Sequence, residues 1–421
     1  MTHKLPDGWR EVKLSDVCTL RGGTGFKEEY QGNVSGEFPF IKVSDMNLKG
    51  NETYIHTSNN WVSAIDVKSM KGVVFAANTV VFAKVGAALL LNRRRILTRD
   101  TLIDNNMMGA TPKELIISSF LYLVLLQTDF GKLVQEGAVP SVNQTQLGAI
   151  LIPLPPLEEQ RKIADILGTV DDKLANIDQQ ITATENLKKG LMQQLFTKGI
   201  GHTEFKQTEI GTIPKAWEVV SLGGLITPPT AGVSVNSDES ASNANYGILK
   251  TSAVSLGKFY ADEYKTIANG EEARARINPA RNSIILSRMN TPQLVGESGY
   301  VSKDFPNLFL PDRLWQFSAK TPETLCVKWL SAILSHGYAR AELQRKATGT
   351  SNSMKNIPKS VLLNMNIPLP PPEEQEKIAS ILTEVDNKLD SLKKRKSAYT
   401  TLKTGLMQQL LTGQKRVKVC P

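Results

Sequence analysis

Basic and amide side chains recur at matched places in the two halves of this 421-residue chain. Lys84 follows the apolar run Val80-Val-Phe82, and Arg288 follows Ile284-Ile-Leu286 at an offset of 204; Lys42 and Lys250 pair at an offset of 208. Asn92, Arg93, Arg94, Arg95, Asn105 and Asn106 extend the first set, and Asn290 and Gln293 the second. These groups suit hydrogen bonding to phosphates and base edges. A guanidinium can grip guanine with two bonds and a carboxamide can do the same to adenine, whereas lysine more often holds phosphate. For any one of them a solvated loop is the competing interpretation, and the cluster is the stronger candidate.

Covalent, acid–base and metal chemistry find no comparable support. His3, His56, His202 and His336 have no companions at ligand spacing, and no P-loop or His-Glu-x-x-His pattern occurs. Cys18, Cys326 and Cys420 are scattered and odd in number, which gives neither a disulfide framework nor a metal site. Arg21-Gly-Gly-Thr-Gly25 reads as a surface turn rather than a dinucleotide fingerprint. The Asn-Pro-Pro-Tyr or Asp-Pro-Pro-Tyr motif expected of an adenine methyltransferase is absent. No catalytic and no metal-binding residue is assigned; the chain reads as a binder and organiser.

The net charge of +9, from 50 basic and 41 acidic residues, lies mostly in the second half and the tail, and is compatible with phosphate binding. No apolar run approaches the roughly 20 residues needed to cross a bilayer. The start, Met1-Thr-His-Lys-Leu-Pro, lacks the apolar core of a secretion signal, so the expected location is cytoplasmic.

The elements that position the candidate residues are organised by a repeat. Ile152 to Thr197 recurs between Ile367 and Thr412 at a constant offset of 215, with more than half of the positions identical. Each copy opens with a proline run and a Glu-Glu pair, which favour a helix start at about Leu157 and Pro372. Apolar residues then follow at three- and four-residue steps. In the first copy they are Ile163, Ile166, Val170, Leu174, Ile177, Ile181, Leu187, Leu191 and Leu195. In the second they are Ile378, Ile381, Val385, Leu389, Leu392, Tyr399, Leu402, Leu406 and Leu410. Gly199 and Gly413 stop the helices. A stripe this long predicts the seam of a coiled coil, each helix about 60 Å long at 1.5 Å per residue. Gly190 and Gly405, inside the pattern, mark a close approach or a kink.

Between the helices the chain has α+β character. Phe38–Val43, Gly72–Phe75, Thr79–Phe82, Asn282–Leu286 and Gln293–Val295 read as short strands, and Ser118–Gln127 and Leu325–His336 as apolar helices. The expected division is a globular domain over 1–152, a helical region over 153–199 and a second globule over 200–367 that includes a linker, 199–212. A second helical region over 368–413 and a basic tail over 414–421 follow.

Two variable globules, each followed by a helix introduced by Pro-Leu-Pro-Pro-x-Glu-Glu-Gln and closed near Gly-Leu-Met-Gln-Gln-Leu, resemble the DNA-specificity subunit of type I restriction-modification systems. Leu5-Pro-Asp-Gly-Trp9 and Ile213-Pro-Lys-Ala-Trp217 look like the openings of that family's target-recognition domains. The resemblance implies two target-recognition domains, an antiparallel coiled coil and a pseudo-two-fold internal repeat. It also implies a non-catalytic subunit that binds an asymmetric, bipartite duplex DNA sequence, one half-site per globule. The expected partners are two methyltransferase subunits and, when present, two restriction subunits, which would carry S-adenosylmethionine, ATP and Mg; this chain would bind none of these cofactors. Two short patches joined by a rod give specificity without one large interface. The alternative is a coiled-coil adaptor between proteins that does not read DNA.

Overall fold

Prolines before, carboxylates in the first turn and a glycine after set the limits of two long helices, Leu157–Thr197 and Pro372–Leu411. Glu158, Glu159, Glu373 and Glu374 sit at the positive ends of the helix dipoles. Gly199 (φ 64°) and Gly413 (φ 72°) take up the left-handed backbone just past the last turns. The computed structural model describes residues 5–134, 139–238, 246–349 and 353–418; His3, Cys420 and the last residues of the basic tail lie outside them.

The chain divides into two units, Met1–Gln179 with Lys394–Pro421, and Gln180–Lys393. Each long helix therefore gives one part to each unit. In the first unit Asp171 pairs with Lys403 at 2.5 Å and Asp178 with Lys396 at 2.6 Å. Seven residues forward along one helix are matched by seven backward along the other, so the pair is antiparallel. In the second unit Glu185–Lys393 (3.3 Å) and Lys188–Asp386 (2.8 Å) run in the same opposed sense.

Most of the expected seam is covered. Ile163, Val170, Ile177, Leu195, Ile378, Leu389, Leu392 and Leu410 are buried, and Ile166, Leu174, Leu191, Ile381, Val385 and Leu406 are half-buried. Leu187 and Leu402 are corrections: both are exposed, at 54% and 48%. They are equivalent positions, and each lies one residue, about 100° of helix, off the covered line. That line passes instead through Lys188 and Lys403, whose ammonium groups meet Asp386 and Asp171. Leu167 and Leu382, also equivalent, are buried and were not expected in the seam. No heavy atom outside the local helix lies within 4 Å of where a Cβ would stand on Gly190 or Gly405, so neither marks a close approach.

The first unit holds a five-stranded sheet, in the order Cys18–Gly22, Met107–Pro112, Val80–Ala83, Arg94–Leu97, Tyr54–Ile55. A second, four-stranded sheet runs Asn60–Val62, Phe38–Ile41, Thr101–Ile103, Val74–Phe75. The second unit has the matching pair. Its larger sheet runs Thr230–Ala231, Leu314–Phe317, Ser283–Ser287, Ser298–Val301, Gly257–Phe259, Val254–Ser255. The smaller one runs Tyr264–Thr266, Gly247–Leu249, Leu308–Phe309. Helices Ser118–Gln127 and Val327–Leu334 pack into the two main cores, near the places their apolar runs predict.

Three local expectations change. Gln293–Val295 is a turn rather than a strand: the N–H groups of Leu294 and Val295 donate to Thr291 O, and Gly296 adopts φ 78°. The segment read as a linker forms a hairpin, with Phe205–Thr208 paired antiparallel to Gly211–Pro214. Within Arg21-Gly-Gly-Thr-Gly25, Gly23 lies where the chain meets the smaller sheet, its neighbour Thr24 bridging to Asp104. A Cβ at Gly23 would collide with the carbonyls of Ile103 and Asp104, and one at Gly232, in the second unit, with that of Leu310.

Candidate nucleic-acid interface

Each globule is fastened to its helices by the Glu-Glu-Gln motif. Trp9 donates its indole N–H to Glu159 at 3.1 Å, and Trp217 donates to Glu374 at 2.9 Å. A basic side chain from the segment after the opposing helix joins each carboxylate: the Arg416 guanidinium at Glu159, and the His202 imidazole Nε2, 3.0 Å away, at Glu374. The next residue, fully buried, ties in the core helix. Gln160 accepts the Ile117 N–H at 3.0 Å and donates to the carbonyls of Leu115 and Pro155, both at 2.9 Å. Gln375 accepts from Cys326 at 2.9 Å and donates to Thr324 and Pro370 at 3.2 and 2.8 Å. Strand Arg10–Lys13 pairs with Leu151–Leu154, and Glu218–Ser221 with Asn366–Leu369, closing each globule just before its helix.

Lys84 and Arg288 emerge from equivalent strands, as their spacing predicts. The Lys84 N–H donates to Asn106 O at 2.9 Å, and its carbonyl accepts from Val142 at 3.0 Å. Arg288 does the same with Arg313 O at 3.0 Å and with Ile357 N–H at 2.9 Å. The two units thus bring the same three segments together. Arg288 Nε also donates to Asp312 O at 2.8 Å, and the guanidinium lies 5.7 Å from the Trp315 ring centre. Lys42 and Lys250 each precede a short 3-10 turn; Lys42 Nζ donates to Gln31 at 3.1 Å, and Lys250 Nζ lies 3.8 Å from Glu263.

The remaining candidates divide by what already holds them. Asn105 and Asn106 are exposed in the turn beside Lys84, and Gln293 is exposed in the turn after Arg288. Asn290 is half-buried, its Nδ2 donating to Ser287 at 3.2 Å. Arg93 is exposed and hydrogen-bonded to Asn47. Asn92 and Arg95 are half-buried: Asn92 donates to Leu126 O at 3.0 Å, and Arg95 to the carbonyls of Arg94 and Met46 at 2.7 and 2.8 Å. Arg94 is the correction. At 1% exposure it belongs to the core, its guanidinium 3.8 Å from the Phe130 ring centre and bonded to Asn92 Oδ1 at 2.5 Å. Burial pushes its pKa down to about 9, and no surface remains for a nucleic acid to touch.

Sequence reasoning misses Arg313, the counterpart of Asn106. The only signal for it is a third offset, 207, which also pairs Met107 with Leu314 and becomes visible once the turns are superposed. Among the described residues no three His, Cys, Asp or Glu side chains gather as a metal site, and no helix is long and apolar enough to cross a membrane. An open groove in the first unit, lined by Gln127, Thr404, Met407, Gln408, Thr412 and Gln414, carries no titratable side chain.

Two mixed globules, each opened by a tryptophan latch and closed by a long helix, define a paired recognition architecture. The chain belongs to the family described as type I restriction modification DNA specificity domain, matched over residues 6–186 and 214–399. It is 29% identical, over 99% of its length and 95% of the relative's, to the type I restriction enzyme MjaVIII specificity subunit of Methanocaldococcus jannaschii. A putative MjaX specificity subunit of the same organism is 30% identical over the same shares. The fold is similar to the crystal structure of a type I restriction-modification S subunit from M. genitalium, with TM-score 0.60 and 14% identity over 97% of this chain and 98% of that one.

Proposed function

We propose that this chain is the recognition subunit of a type I restriction-modification complex and binds an asymmetric, split sequence in duplex DNA, one half-site per globule. The observation that carries this reading is the duplicated arrangement around Lys84 and Arg288: identical backbone bonds, but different side chains at the surface. Equal frames place equivalent residues against equivalent stretches of DNA, while unequal side chains select different bases. Lys42, Lys84, Lys250 and Arg288 supply positive charge, and Asn105, Asn106, Asn290, Gln293 and Arg93 supply polar contacts.

The subunit recognises and organises rather than catalyses. Its partners are two methyltransferase subunits that use S-adenosylmethionine and two restriction subunits that use ATP and Mg, all within the cytoplasm. Co-expression with a methyltransferase subunit of a type I restriction-modification system, followed by genome-wide mapping of methylated adenines, tests the proposal. The expected result is one asymmetric motif in two parts with a fixed gap. Methylation without a motif, or a single uninterrupted one, would count against it.

A further inference from the structure

Two tight turns, one per unit, occupy the same place in the fold. Asp104-Asn105-Asn106-Met107 closes with the Met107 N–H donating to Asp104 O at 2.9 Å. Pro311-Asp312-Arg313-Leu314 closes with the Leu314 N–H donating to Pro311 O at 3.3 Å. Each delivers the chain into the strand that pairs with Val80–Ala83 or Ser283–Ser287, with Met107 opposite Ala83 and Leu314 opposite Ser287. The third residue of each turn is pinned through its carbonyl by the N–H of Lys84 or Arg288.

The side chains of these third residues are not pinned. Asn106 and Arg313 are both exposed, and neither side chain makes a hydrogen bond, ion pair or ring contact among the described residues. The preceding position differs: Asp312 is bonded through its carboxylate to Ser234 and through its carbonyl to Arg288 Nε. Arg288 is likewise occupied, held at Asp312 O and beside Trp315. A cation so fixed suits a phosphate better than a base edge, which demands a freely aimed two-bond grip. Lys84, its counterpart, has the chemistry of a phosphate anchor as well.

A rigid main chain carrying a free, polar side chain is what direct readout needs. The two residue types then choose the base. A carboxamide offers one donor edge and one acceptor edge, matching N6 and N7 of adenine; a guanidinium offers only donors, matching O6 and N7 of guanine. We propose that Asn106 and Arg313 are the equivalent base-reading residues of the two units, Asn106 selecting an A·T pair and Arg313 a G·C pair, with Lys84 and Arg288 anchoring the adjacent backbone. This inference rests on the reading that each unit contacts duplex DNA.

The test is selection from a randomised duplex library by the full chain in complex with its methyltransferase partner, followed by sequencing. The wild type should yield a split motif with one G·C pair that depends on Arg313 and one A·T pair that depends on Asn106. Arg313→Ala should lower the preference for G·C at one position by about fivefold or more, and Arg313→Asn should turn that position toward A·T. Asn106→Arg should do the reverse in the other half-site. Variants that lose affinity equally for every sequence would overturn the inference and make these residues phosphate contacts. Unchanged affinity and motif would take them off the DNA surface altogether. A wild type that enriches no motif would remove the recognition reading itself, before any variant is made.

Discussion

Lys403 stands 2.5 Å from Asp171 where the long helices run opposed in the first unit. The same ion pair recurs as Lys188 and Asp386 at 2.8 Å in the second, each residue 215 positions from its equivalent. All four side chains are largely covered, so the pair interrupts an apolar seam at one fixed level in each unit. A partly buried pair adds modest stability but penalises any shift of register, because a slip would leave charges facing leucine or isoleucine.

Lys403→Ala should therefore cost only about 1 kcal/mol, since the charges keep some contact with water. Lys403→Asp should cost more, and combining it with Asp171→Lys should recover most of the loss. Urea unfolding midpoints of the single and double variants check this; a double variant no better than the worse single one would mean that the two charges do not interact.

Gln160 and Gln375 each hold three hydrogen bonds without exposure to water. Alanine at either should destabilise the protein by roughly 2–3 kcal/mol, as buried backbone groups lose their partners. Hydrogen exchange should report the loss at Ser118–Gln127 for Gln160→Ala and at Val327–Leu334 for Gln375→Ala. Equal protection of both helices in both variants would contradict this assignment.

Gly190 and Gly405 have open space where a side chain would stand and lie inside unbroken helices. Alanine at each should raise stability by about 0.5–1 kcal/mol through helix propensity and a less flexible unfolded chain. A lower melting temperature would show that the backbone there needs glycine.

His336 is half-buried beside Lys188, with Asp386 and Arg340 also near; partial burial, first of all, and then the Lys188 charge hold its pKa below 6.5. A base whose folded pKa is depressed binds its proton more readily when unfolded. Stability is therefore full above about 6.5 and declines as the pH falls from there toward the folded value. His336→Gln should flatten the fall in melting temperature between pH 7 and 5, whereas an unchanged slope would exclude His336 as its source.

The long helices are legible in the sequence because three independent signals agree on them: proline before, a stripe within and glycine after. Val80–Ala83 and Ser283–Ser287 are legible because buried strands read as short β-branched runs. The signal fails where residue type and surroundings part. Leu187 and Leu402 look like seam residues only because leucine is apolar, while the seam follows the aliphatic stems of Lys188 and Lys403. Arg94 looks like a surface cation, yet two phenylalanine rings and local carbonyls receive it. Arg313 is invisible because the offset between halves drifts from 204 to 207 across insertions of different length, and only the shared backbone bonds restore the correspondence.

The central claim is that each globule reads its own part of the target. Exchanging residues 213–365 for the equivalent segment of a relative, then mapping methylated adenines with the methyltransferase partner co-expressed, tests it most directly. The prediction is that one half of the split site changes, while the other half and the spacing persist. A target altered in both halves, or in neither, would contradict it.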